Sequence, residues 1–187
     1  MIYFEDVLST SVELACFQLL SSKQKSALLN TIEQQFNTVR MPSRMRGLAQ
    51  NLADELLTNA FFNAPVNDQG KPLYREWDRR REVLLDNANA IEVELAISPE
   101  QWGIRVRDPF GSLTPDEVYT QIERARTKGG GQVRMETAGA GLGLFMIVST
   151  ASRVIVQISP QQWTEFIVLL QLSDTGARKL TTATELE

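Results

Sequence analysis

The chain contains no histidine and one cysteine among its 187 residues. Without histidine there can be no Ser-His-Asp triad, no histidine-ligated metal and, within this chain, no phosphoacceptor histidine. A lone cysteine, Cys16, rules out an internal disulfide and fits a reducing compartment; its expected role is a small buried apolar side chain. Long apolar runs are also missing, none approaching the roughly 20 residues of a membrane span. The opening MIYFEDVLST carries acid where a secretory leader would carry base. No Gly-Lys-Ser/Thr occurs, so the common phosphate loop GxxxxGK[ST] is excluded. A cytoplasmic protein with no membrane partner is the expectation.

What is present is ordinary in bulk, with 43% hydrophobic and 22% charged residues. That composition suits one soluble globular domain with a substantial core. A net charge of -4 and a pI near 5.1 offer no general attraction to nucleic acid, and none is expected as a partner. One basic cluster stands apart, KPLYREWDRRR at 71–81. It falls in a polar excursion, 66–81, that reads either as a solvated loop or as a docking site presenting Arg79, Arg80 and Arg81.

Periodicity predicts helices over 10–20 and 23–38, the second with Leu28, Leu29, Ile32 and Phe36 at helical spacing. A stronger helix is predicted over 43–64, its apolar stripe formed by Leu48, Ala49, Leu52, Ala53, Leu56, Leu57, Ala60 and Phe61. Residues 81–98 read as two strands around DNANA, and QWGIRVRD as a third. Pro115 predicts the start of a helix over 115–127. A glycine-rich segment, 128–143, leads into a helix over LGLFMIVSTAS, and RVIVQIS and TEFIVLLQL read as closing strands. This order predicts an α+β two-layer sandwich, a mixed and mostly antiparallel sheet with helices on one face. Three segments are expected: a helical 1–40 that packs or dimerises, a main domain 41–175, and a tail 176–187.

Three constellations carry chemistry. Glu55, Asn59 and Asn63 are spaced by four, which sets them on one line at the edge of the apolar stripe. Asp108 leaves a strand in VRDPFGSL, where Asp, Pro and Gly also suit a type I turn. In a half-buried pocket such a carboxylate accepts a hydrogen bond from an exocyclic amine. Finally, ETAGAGLGLFM at 136–146 opens a helix with alternating glycines, a backbone able to approach a phosphate closely.

Their order, ExxxN on a core helix, an aspartate after a strand, a long loop, then GxGLGL and a final hairpin with Thr164, resembles the GHKL or Bergerat-fold ATPases. That superfamily includes gyrase, the heat-shock chaperone ATPases, histidine kinase catalytic domains and anti-sigma-factor serine kinases. The resemblance covers roughly 43–172, and in size the chain is nearest the anti-sigma-factor serine kinases. It implies Mg²⁺ and ATP as cofactors, with Asn59 as the metal ligand and Glu55 as the group that orients or deprotonates the attacking water or hydroxyl. It also implies adenine recognition by Asp108, with Gly111 nearby and Thr164 in support. Phosphate contacts would come from Asn63, from Gly139, Gly141, Leu142, Gly143 and Leu144, and from Lys128 or Arg134 on a lid spanning about 114–138. The aspartate box departs from DxGxG, with Phe110 and Ser112 in place of glycines. Asn63 stands where signalling members often carry a basic residue.

The implied function is a Mg-ATP-binding signalling protein, a kinase toward a protein partner or a slow ATPase, possible as a homodimer. Two alternatives are a non-catalytic nucleotide-sensing module and the catalytic domain of a histidine kinase acting on a histidine in another chain.

Overall fold

A computed structural model describes residues 1–8, 12–39, 41–127, 142–172 and 182–186. Alternation along the strands separates two faces of one six-stranded sheet, in the order β1-β2-β3-β5-β4-β6. The strands are β1 (Glu13–Leu19), β2 (Ile91–Ile97), β3 (Gln101–Asp108), β4 (Arg153–Ser159), β5 (Trp163–Gln171) and β6 (Thr182–Leu186). All neighbours are antiparallel except β4 and β6, which run parallel. On one face, Val93, Leu95, Trp102, Ile104, Val168 and Leu170 meet the helices α1 (Gln24–Thr38), α2 (Ser43–Thr58), α3 (Pro115–Thr127) and α4 (Leu142–Thr150) in a single core. The result is the expected two-layer α+β sandwich. Leu28, Ile32 and Phe36 of α1 belong to that core, and Phe36 meets Trp102 edge to face at 6.3 Å.

The opposite face carries a smaller apolar cluster. Ala96, Ile155, Ile167 and Leu169 are covered there by Phe4 and Val7 of the N-terminal segment. Beside it lies a polar network centred on Arg105, which donates to Glu165 at 2.6 Å, Glu94 at 2.8 Å and Glu92 at 3.3 Å. Gln157 donates to Glu165 and to the carbonyl of Ile2, both at 2.8 Å, and accepts from the amide of Ile2 at 2.7 Å.

Three expectations are corrected. Residues 13–19 form edge strand β1 rather than a helix, because pairing with β2 satisfies a backbone whose side chains have no core on one face. Cys16 is accordingly exposed, not buried. Of the two strands expected over 81–98 only β2 forms; Leu84 makes an isolated bridge to Ser21. Within the segment expected as a tail, Thr182–Leu186 adds a strand beside β4. Among the described residues no helix is long and apolar enough to cross a membrane.

Candidate functional site

The cleft lies where the last turns of α2 meet the ends of β3 and β5. Helix α2 follows Pro42 and buries Ala49, Leu52, Ala53, Leu56 and Leu57, in keeping with its periodicity. Beyond Thr58 the helix widens into a π-turn over Asn59–Asn63, marked by the bond from the Ala64 amide to the Asn59 carbonyl at 2.9 Å. Such turns are rare and occur often at functional sites. Ala64 still has helical backbone angles, and Pro65, which has no N–H to donate, follows it. The π-turn buries Ala60, Phe61 and Phe62. It leaves Asn59 and Asn63 on the cleft wall, where Asn63 Nδ2 donates to Asn59 Oδ1 at 2.6 Å.

Asp108 ends β3 directly opposite Thr164 of β5. Both point to the helix side, as the alternation of Trp102, Ile104 and Val106 requires. Their side chains line the cleft yet are almost wholly buried, at 6% and 1% exposure. The Phe110 amide donates to Asp108 Oδ1 at 3.0 Å, and the amides of Gly111 and Thr164 also favour the charged form. Burial outweighs them and pushes the carboxyl up to about 7. Thr164 Oγ1 has no hydrogen-bond partner among the described residues.

Glu55 sits one turn before Asn59 but not on the cleft wall. Its carboxylate packs against Gly143 at the start of α4, filling the space that a Cβ at 143 would need. Gly143 is therefore explained by the approach of Glu55, a contact that joins α2 to α4. Burial first, then the adjacent Asp54, raise the Glu55 pKa above its ordinary value, while Arg79 and Lys25 pull it down. Leu144, the next residue of α4, does line the cleft.

Gly111 stands beside Asp108, as expected, with its amide favouring the charged carboxylate. It does not line the cleft; at φ +54° it packs against the β4–β5 turn, and its carbonyl accepts from the Gln161 amide at 3.0 Å. Any side chain there would strike the backbone of Ser159 and Gln162. Its glycine holds the loop after Asp108 to the hairpin that carries Thr164. Leu142 opens α4, whereas Lys128, Arg134, Gly139 and Gly141 lie outside the described residues. The first half of the expected lid is helix α3, opened by a capping box in which Thr114 and Glu117 bond reciprocally. Its Val118 is buried in the core.

Several cleft residues were not singled out from sequence. Ser112, Leu113 and Glu117 line it, as does Arg75 from the excursion after α2. The signal for Arg75 was its place in the basic cluster; nothing local pointed it toward Asn59 and Asp108. No protein-family model matches this chain, and no curated protein matches its sequence.

The donor set suits one kind of occupant. An apolar floor of Leu56, Val106 and Phe166 meets an acidic acceptor and an unpaired hydroxyl at one place, and two amides at another. Among the described residues no three His, Cys, Asp or Glu side chains converge as a metal cage. A hard cation would rest on the Asn59 carbonyl oxygen together with oxygens supplied by a ligand.

Proposed function

We propose that the chain is a Mg²⁺-ATP-binding signalling protein of the GHKL type, using ATP as a kinase toward a protein partner or as a slow ATPase. The observation that carries this reading is the buried Asp108–Thr164 pair facing Asn59 across one cleft. Asp108 accepts the adenine amino group, and the Thr164 hydroxyl, otherwise unpaired, takes a second polar contact with the ring or a water on it. Leu56, Val106 and Phe166 supply apolar contact to the base. Asn59 would hold Mg²⁺ through its side-chain oxygen together with oxygens of the nucleotide and water, and the ion would supply charge neutralisation to the phosphates.

Glu55 is the candidate base, and because its carboxylate packs on Gly143 off the cleft wall, it must turn toward Asn59 to act. Its raised pKa gives it proton affinity that a solvated carboxylate lacks, and it stands one turn from Asn59. Calorimetry with a non-hydrolysable ATP analogue tests the binding reading. Mg²⁺-dependent binding is expected, with N59A losing the Mg²⁺ dependence. Absence of binding at millimolar nucleotide would refute it. Phosphate release from labelled ATP then separates a catalyst from a sensing module, since only the former loses turnover in E55A while retaining binding.

A further inference from the structure

The excursion 66–81 is held in place by its own chemistry. Asn67 and Lys71 close a turn at 3.0 Å with Gly70 at φ +73°, and the Leu73 amide ties back to the Pro65 carbonyl at 3.0 Å. Tyr74 and Trp77 then pack against the main core, with ring centroids 4.7 Å apart. This anchoring fixes the backbone on either side of Arg75, so the segment is not a loosely solvated loop.

Its arginines divide into two kinds. Arg80 pairs with Asp78, and Arg81 lies over the Trp77 ring at 3.7 Å. Arg75 and Arg79 make no ion pair among the described residues. Arg75 lines the cleft, and its Nε is buried without a partner. Arg79 donates to Asn63 Oδ1 at 3.2 Å, lies over the Phe62 ring at 4.7 Å and is close enough to lower the pKa of Glu55. A relay therefore runs from Arg79 to Asn63 to Asn59. Arg75 lines the cleft with a buried Nε that has no partner among the described residues, Arg79 stands behind the cleft wall on Asn63 with Glu55 as its nearest acid, and guanidinium geometry matches phosphate oxygens.

We propose that Arg75 and Arg79 form a polyphosphate-binding clamp, supplied by the excursion, for the nucleotide held by Asp108 and Asn59. The inference rests on the nucleotide reading above and adds the chemistry at its anionic end. Asn63 stands where signalling members of the resembled superfamily often carry a basic residue; here Arg79, held to Asn63, brings the charge from the following segment.

The test is a calorimetric ladder of adenosine, AMP, ADP and ATP on the full chain, wild type against R75Q and R79Q, at two salt concentrations. Losses are expected to grow with phosphate number, from none for adenosine to tenfold or more for ATP. The salt dependence of ATP binding should become shallower in each variant. Equal losses along the ladder, or unchanged ATP affinity in both variants, would overturn the clamp while leaving the nucleotide reading standing. Failure of wild type to bind any rung removes both. Should R75Q not fold, R79Q carries the test, because the Arg79 side chain is exposed.

Discussion

Strands β3 and β5 carry two polar clusters, one on each face of the same sheet, and their states of pairing are opposite. On the far face Arg105, Glu165, Gln157 and the Ile2 backbone satisfy one another through direct bonds of 2.6–2.8 Å. Across the sheet, Asp108 is buried on backbone amides and, among the described residues, Thr164 Oγ1 has no hydrogen-bond partner. Orphaned polar atoms alone do not mark a site, because Gln35, Trp102 and Arg153 also carry one among the described residues. Orphans that line a cleft beside an acidic group of perturbed pKa are a different case. The far-face cluster closes the fold on itself; the cleft cluster keeps polar atoms unmet among the described residues.

The largest effect should come from breaking the closed cluster. E165A takes from the Arg105 guanidinium, 12% exposed, its shortest partner and removes an acceptor of Gln157, while Glu94 and Glu92 stay in place; the roughly 3–5 kcal/mol lost on breaking a buried pair is therefore the upper bound. Urea unfolding should show that loss with nucleotide affinity unchanged. A coupled loss of affinity would mean that the faces are not independent.

D108N should act in the reverse sense. Burial raises the Asp108 pKa from 3.8 to about 7, so the folded state holds a proton that the unfolded chain releases between those values. The stability due to that proton is full below pH 3.8 and is lost as pH rises through 7. At pH 8 the neutral amide escapes this penalty, and D108N should exceed wild type by on the order of 2–4 kcal/mol in urea, with the gap closing toward pH 4. Adenine binding should fall by about 100-fold, roughly 2.8 kcal/mol. Because the amine is bound by the ionised carboxylate, wild-type affinity for adenosine should fall about tenfold per pH unit below 7. A flat profile would exclude Asp108 from the contact.

The smallest effect belongs to T164V. Replacing an unpaired buried hydroxyl with a methyl of similar shape should leave thermal stability unchanged or raise it by up to about 1 kcal/mol. Nucleotide affinity should fall by a few-fold. A stability loss comparable to that of E165A would show that Thr164 is structurally paired after all, and the contrast between the two faces would collapse.

Much of this architecture was legible residue by residue. Helix α2 followed from its apolar stripe, α3 from Pro115, and strands β3, β4 and β5 from alternating or continuous apolar runs. Asn59, Asn63, Asp108, Leu144 and Thr164 were candidates from sequence, and one cleft brings all five together. Edge strand β1 was misread because Leu14, Ala15, Cys16 and Phe17 form an unbroken apolar run with no alternation in sequence, and only pairing with Ile91–Ile97 decides between helix and strand.

Local periodicity by itself determined the core helix, the central strands and the residue types available for chemistry, since those depend on neighbours within a few positions. Tertiary structure alone decided that Thr164 stands opposite Asp108, that Glu55 fills the space left by Gly143, and that Arg75 reaches the cleft. Those contacts depend on strand register and on packing between segments far apart in the chain, for which one-dimensional spacing carries no signal.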